Sequence, residues 1–356
     1  MASRSEITHA GVGPPRDTCG ACATDVARLR MHREDPEPDA WTERMRDGDF
    51  AAAWRICDSV LCERLRRRVD CSRWPRHLQF VWRGQTLENR RVLVRCYHGL
   101  GDTIQFARLL APLRERSRAV TLWAQPALAD LLASVRGVDR ILPLHDGVPE
   151  AVYDVDIELM ELPHALRLDM QAIPAEVPYL HVSRAARADH GLRSRACAAR
   201  PRALEVGLSW RSGDWNPARS IPDGVIGRLA SAPGVRWHAL QYPAEGLPLD
   251  GDDLACADVH ELARRMLGLD LIVSVDTMTA HLAGALGLPT WTLLHDHCDW
   301  RWMLAREDSP WYPTMRLIRQ RAAGDWPGVI DEVLRRLRAV REAGDACERR
   351  AEVCGR

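Results

Sequence analysis

The sequence predicts an α/β protein built as two parallel-sheet halves facing each other across a cleft. Three observations carry that prediction. From residue 91 onward, short apolar strands alternate with amphipathic helices. The alternation lapses over the Arg- and Ala-rich stretch 184–203, which offers a core little, and then restarts. The segments richest in glycine, hydroxyl and charged side chains follow strands, and ligands bind at the carboxyl ends of strands in such sheets.

The first half opens with strand "RVLVRCY" (91–97) and helix "TIQFARLLAPLRERS" (103–117), which places Phe106, Leu109, Leu110 and Leu113 on one face. Strand "AVTLWA" (119–124), helix "PALADLLASV" (126–135) and strands "DRILPL" (139–144) and "DVDIELM" (154–160) complete it. The second half reads as strand "LEVGLSW" (204–210), helix "DGVIGRLASA" (223–232), strand "VRWHALQ" (235–241) and helix "DVHELARRMLG" (258–268). Strand "LDLIVSV" (269–275), helix "MTAHLAGALG" (278–287), strand "PTWTLL" (289–294) and a final helix from about 327 to 343 follow. Alternation at this spacing implies crossover helices, so each half is Rossmann-like. Ahead of them, residues 39–68 have apolar positions three and four apart and read as two short helices broken near Gly48. Residues 1–38, rich in Gly, Pro and Asp, are expected to be a disordered leader. The expected division is leader 1–38, helical extension 39–85, N-terminal domain 86–190 and C-terminal domain 200–345.

A chain of 356 residues with 46% apolar content can bury two cores. Its 49 basic residues balance 49 acidic ones, which argues against nucleic acid held by bulk charge. Every basic residue is arginine. A phosphate-loop lysine, a Schiff-base lysine and a lysine base are therefore excluded, and any anion must be met by Arg, backbone N–H groups or hydroxyls. No stretch reaches the roughly 18 to 20 apolar residues of a membrane span, and the N-terminus lacks the apolar segment of a signal peptide. A cytoplasmic protein without a transmembrane segment is expected, any membrane contact being peripheral. Eleven scattered cysteines read as reduced thiols, and Cys19 and Cys22 lack the second pair that a zinc site needs.

Three corners carry the chemistry. "YHGLGDTIQF" places Gly99, Gly101 and Asp102 after the first strand, where glycines allow a tight turn and close backbone approach. Asp102 suits the N-cap of the following helix and can also accept a proton at a cleft. A dinucleotide fingerprint would need a third glycine where Ile104 stands. "WRSGDWNPARS" offers Arg211, Ser212, Gly213 and Arg219, which suit a diphosphate; the competing reading is a solvated loop whose arginines pair with Asp214 and Asp223. "SVDTMTAH" sets Asp276, Thr277, Met278 and Thr279 between a buried strand and a helix N-terminus, with His281 in the first turn, which is anion-site geometry. His295, His297, Cys298 and Asp299 in "HDHCDW" tempt a metal reading. The two histidines would point to opposite faces of a continuing strand, so the sequence is read without a metal site.

"GLGDTIQFARLL", "GLSWRSGDWNPARSIP", "LDLIVSVDTMTAHLAGALGLPTWTLL" and "DWRWMLAREDSPWYPTMRLIRQRAAGDW" resemble, in order, glycosyltransferase family 9, the heptosyltransferase family. The likeness runs from about residue 90 to 340 and favours the branch fused to tetratricopeptide repeats. It implies a GT-B fold, with the N-terminal domain for the acceptor and the C-terminal domain for the donor. It also implies inverting transfer from a nucleotide-activated sugar, with no cofactor and no required metal. The family's best-known donor is ADP-heptose, and the acceptor would be a glycan, lipopolysaccharide or protein hydroxyl. By the same resemblance Asp102 matches the proposed general base, and Arg219 stands where those enzymes usually carry lysine against the donor phosphates. Asp276, Thr277 and His281 match the D-T-x-x-x-H motif around the donor. Met278 replaces a frequent Gly, and Gln241 falls near the nucleoside. The helical pair at 39–68 would be a remnant of the repeats, too short to form an array. Two rivals stay open: a binding protein that has lost turnover, and a nucleotide-sugar epimerase or NAD-dependent oxidoreductase.

Overall fold

The computed structural model describes residues 40–182, 203–213, 216–243, 249 and 251–354. The expected leader with its Cys19/Cys22 pair, and nearly all of the expected junction 184–203, lie outside these residues.

Two parallel sheets form the frame. Strands β1 (Arg91–Arg95), β2 (Ala119–Ala124), β3 (Arg140–Pro143) and β4 (Val155–Glu158) run in the order β3-β2-β1-β4. Strands β5 (Leu204–Ser209), β6 (Val235–Ala239), β7 (Gly251–Asp253), β8 (Leu271–Val275), β9 (Thr290–Leu294) and β10 (Met315–Arg319) run in the order β10-β9-β8-β5-β6-β7. Every residue of β8 and β9 is buried, as expected for strands covered on both faces. Two strands, β7 and β10, were not legible in advance. The exposed edge strand β7 reads only "GDD" and carries no apolar signal.

The helices are α1 (Ala40–Arg46), α2 (Phe50–Arg67), α3 (Leu100–Phe106), α4 (Leu110–Arg116), α5 (Ala129–Leu132), α6 (Leu162–Ala165), α7 (Asp223–Ile226), α8 (Val259–Met266), α9 (Met278–Ala285) and α10 (Trp326–Cys354). The helix expected over 103–117 starts earlier, at Leu100, and breaks into α3, a 3₁₀ turn at Ala107–Leu109 and α4. Pro112 accounts for the break, because it has no N–H to give the carbonyl of Arg108.

Sheet order fixes where a ligand can sit. In the first sheet the chain changes direction of winding between β1 and β4, and in the second between β5 and β8. Crevices open at the carboxyl ends of strands at such switch points. The loops there are 96–99 and 159–161 in the first domain and, in the second, 276–277 and the described residues 210–213 and 216–222. All four lead to one cleft.

The domains meet where α3 crosses α9. Neither Gly99 nor Gly101 takes a left-handed φ, so the expected tight turn is not the reason for them. Gly101 is needed for approach: an added Cβ would lie 2.9 Å from His281 Cδ2 and 3.4 Å from Met278 Cα. His281 cannot yield, because its ring stacks on Trp302 with centroids 5.3 Å apart. Gly101→Ala is therefore expected to destabilise the chain. Overpacking costs about 1–3 kcal/mol, more than the gain of up to about 1 kcal/mol in helix propensity. A lower urea midpoint at unchanged slope checks this.

The helical extension has no core of its own and is shared by both domains. Asp49 caps α2 by accepting the Ala52 N–H at 3.0 Å. Trp54 Nε1 donates to the Leu168 carbonyl at 2.8 Å, tying α2 to the first domain. Trp41 meets Trp300 edge-on at 5.5 Å, and Arg46 Nη2 donates to the Cys298 carbonyl at 2.9 Å, tying α1 to the second.

Candidate active site

A cavity of about 1020 Å³ fills the cleft. From the first domain it is lined by Tyr97, His98, Gly99, Gly101 and Asp102. From the second it receives Arg211, Ser212, Arg219, Gln241, Asp276, Thr277, Met278, Thr279 and His281. Every residue singled out from the sequence for acid, base or donor contacts thus borders one space. Tyr242, Cys256, Asp299 and Arg301 also line it and were not singled out for it.

Asp102 is the third residue of α3, and Gly99 is the N-cap, which corrects the expected cap position. The carboxylate still serves the helix start by accepting the Gly99 N–H on Oδ2 at 3.0 Å. Its other oxygen accepts from Arg301 Nη2, an ion pair that crosses between the domains. Arg301 also lies 2.9 Å from Asp299 Oδ2. Burial would lower the guanidinium pKa, but the surrounding carboxylates of Asp299, Asp102 and Asp276 outweigh it and raise the value. A carboxylate offers about four acceptor sites, so Asp102 keeps lone pairs free for a hydroxyl in the cavity.

On the opposite wall, Arg211 Nη2 pairs with Asp223 Oδ2 at 2.5 Å, which is the solvated-loop reading for that arginine; Asp214 lies outside the described residues. Arg219 does something different. Its Nη1 donates to the Asp276 carbonyl at 3.0 Å and stands 3.5 Å from Asp276 Oδ2, while its buried Nε has no hydrogen-bond partner among the described residues. Gln241 Oε1 accepts the Arg211 N–H at 2.7 Å and so shapes the loop after β5. Ser212 Oγ donates to the Asn216 carbonyl at 2.8 Å and closes that loop.

Thr277 is the N-cap of α9 without a side-chain capping bond; its Oγ1 lies 3.3 Å from Ser274 Oγ. The helix therefore presents its N-terminal end toward the cavity beside Arg219, with Met278 and the buried Thr279 in its first turn. Burial and the nearby Asp299 push the Asp276 carboxyl up to about 6, against the pull of Arg219. His281 is buried, with Nδ1 3.0 Å from Tyr312 Oη and Nε2 3.8 Å from Asp276 Oδ1. Burial and the cations Arg301, Arg108 and Arg219 hold its pKa well below the usual histidine range.

The four residues of the tempting metal cluster do not converge on one point. His295 and His297 both face Asp296, with Nδ1 3.9 Å and 2.9 Å away, Cys298 Sγ accepts from Arg319 at 2.7 Å, and Asp299 pairs with Arg301. Among the described residues no three His, Cys, Asp or Glu side chains are grouped as metal ligands.

Behind His98 lies Glu158, 2% exposed, with Oε2 3.6 Å from the imidazole Nε2. Burial pushes its carboxyl up to about 8, opposed by the Met160 and Tyr97 N–H groups it accepts. A carboxyl whose folded pKa is raised stabilises the fold below its unfolded value, and that contribution fades as pH rises through about 8. A tenfold change in proton affinity is worth about 1.4 kcal/mol. Glu158→Gln is therefore expected to flatten the fall in melting temperature between pH 6 and pH 9. A variant that falls as steeply as wild type contradicts this burial cost.

No protein-family model matches the chain. Protein FlbA of Caulobacter vibrioides is 26% identical over 290 residues, covering 72% of this chain and 48% of that protein. The chain thus spans about half the length of this curated relative. Among solved structures, a glycosyl transferase family 9 protein from Veillonella parvula matches 66% of this chain and 87% of its own at 12% identity, with a TM-score of 0.50. The ADP-heptose lipopolysaccharide heptosyltransferase II of E. coli matches 72% of this chain and 99% of its own at 15% identity, with a TM-score of 0.51. Among the described residues no helix is long and apolar enough to cross a membrane. Two parallel α/β domains around one cleft, superposable on these two structures, give this chain the fold of the glycosyltransferase family 9 proteins.

Proposed function

We propose that this chain is an inverting glycosyltransferase that moves a sugar from a nucleotide-activated donor to a hydroxyl of a glycan, lipopolysaccharide or protein acceptor. The observation that carries the reading is the meeting of two chemistries in one cavity. A carboxylate with free lone pairs, Asp102, comes from the first domain, and an anion-binding corner comes from the second. Inverting displacement needs both: a base within hydrogen-bonding reach of the acceptor, and stabilisation of the departing diphosphate. Asp102 takes the acceptor proton. Arg219, the N-terminal end of α9 and the Ser212 loop receive the diphosphate, and the wall formed by Gln241, Tyr242 and Cys256 receives the nucleoside. The two neighbours matched in fold include an enzyme named for ADP-heptose, which makes that donor the first to test.

Guanidinium and helix N–H groups supply the charge in this proposal, without a metal ion. The test is incubation with ADP-, UDP- and GDP-sugars in EDTA, with acceptor glycans or peptides, followed by mass spectrometry. A sugar-bearing acceptor together with free nucleoside diphosphate supports the reading. An isomerised donor would point to an epimerase, and binding without product to a protein that has lost turnover. Restoration by one divalent ion would remove the metal-free part.

A further inference from the structure

We propose that Tyr312 is a positioning residue that fixes His281 as the neutral Nε2–H tautomer, with that N–H turned toward Asp276 and the cavity. The tautomer rests on the contacts and charges around Tyr312; its use on a departing diphosphate rests on the glycosyl-transfer reading.

His281 lies in the first turn of α9, its ring stacked on Trp302 at 5.3 Å and 23°. Nδ1 faces Tyr312 Oη at 3.0 Å, while Nε2 is on the side of Asp276, 3.8 Å away. A neutral imidazole donates from one nitrogen and accepts at the other, so the direction of the Tyr312 bond decides where the proton sits. The surroundings of Tyr312 settle that direction. Its ring is wholly buried, and the Arg108 guanidinium lies 4.6 Å from its centroid. Arg108 donates from Nε to the Gln105 carbonyl at 2.9 Å, from Nη1 to the Pro174 carbonyl at 3.0 Å and to the Trp311 carbonyl, and from Nη2 to Tyr179 Oη at 3.0 Å. All these partners are neutral, so the guanidinium keeps its full field on the ring beside it. A cation against a phenol makes its O–H a better donor and its oxygen a poorer acceptor.

The neighbouring phenol offers no rival proton. Tyr179 Oη donates its own hydrogen to the Ile104 carbonyl at 2.9 Å. Tyr179 Oη also faces Tyr312 as a rival acceptor, but it already accepts from Arg108 Nη2, and a phenol oxygen accepts more weakly than an imidazole nitrogen. Tyr312 O–H therefore donates to Nδ1, and the imidazole proton stays on Nε2. A second charge on the ring is opposed by Arg108, Arg219 and Arg301 together. The packing is built for this contact: a Cβ at Gly284, one turn after His281, would collide with the Tyr312 ring. The result is a neutral donor of fixed direction in a wall that already holds arginines. It can approach an anionic oxygen without asking the site to bury another cation.

The test is nitrogen-15 NMR of the histidine side chains in the whole chain, with His281→Gln identifying the signal. Wild type is expected to show Nε2 protonated and Nδ1 bare from pH 6 to 8. Tyr312→Phe removes one hydroxyl from an otherwise unchanged ring and is expected to mix the two tautomers. Transfer should then lose roughly two- to tenfold in kcat, the worth of one hydrogen bond, with the donor KM nearly unchanged. A proton on Nδ1, an imidazolium in wild type, or an unaltered tautomer in Tyr312→Phe would overturn the proposal. If wild type makes no sugar-bearing product, the transfer reading has failed, and the NMR result still decides the tautomer.

Discussion

Asp102→Asn is expected to cut transfer by roughly a hundred- to ten-thousand-fold, the range for a positioned general base. The carboxylate already makes two bonds. One oxygen accepts the Gly99 N–H and the other accepts from Arg301, so the side chain is held from both domains at a fixed angle to the cavity. Asparagine keeps the shape and one acceptor oxygen, which can still serve Gly99. Its NH₂ group then meets Arg301 donor to donor, and the proton acceptor is gone. Donor binding should survive, because the diphosphate corner belongs to the other domain. Melting curves with and without donor check this beside the kinetics. Near-normal turnover in Asp102→Asn would require another base.

Arg219→Ala is expected to cost about 2.7 to 4 kcal/mol in the transition state, or roughly a hundred- to a thousand-fold in rate. Arg219 is anchored to the Asp276 carbonyl at the N-terminal end of α9, where charge would gather as the diphosphate departs. Its bonds to the diphosphate would form with the bound donor and strengthen along the reaction, so both donor affinity and kcat should fall. Arg219→Lys should recover part of the rate, because it keeps the charge and loses the planar fork. A surface ion pair would give almost no kinetic effect, since exposed pairs contribute little. Transfer within a few-fold of wild type would move the phosphate role to Arg211.

The two-domain frame was legible because its inner strands are apolar runs. "RVLVR" and "LIVSV" could only be buried strands, and the polar corners after them could only face a crevice. What escaped was set by distant partners. Arg301 lies 199 residues from Asp102, and nothing local in "DWRW" announces an ion pair between domains. Helix α3 starts earlier than its sequence suggests because glycine is a poor helix former; the crossing with α9 requires Gly101 and overrides that propensity. The exposed "GDD" of β7 joins the sheet through backbone bonds alone, which side-chain patterning does not report.

Whether the cleft receives a nucleoside-diphosphate sugar is tested most directly by thermal unfolding with such ligands. Ligands that bind only the folded chain stabilise it by an amount set by concentration over Kd, about 2.7 kcal/mol at a hundredfold excess. One nucleoside-diphosphate sugar is expected to raise the wild-type melting temperature by several degrees, with the shift weakened in Arg219→Ala and retained in Asp102→Asn. Equal shifts in wild type and Arg219→Ala, or no shift with ADP-, UDP- or GDP-sugars at millimolar concentration, would contradict it.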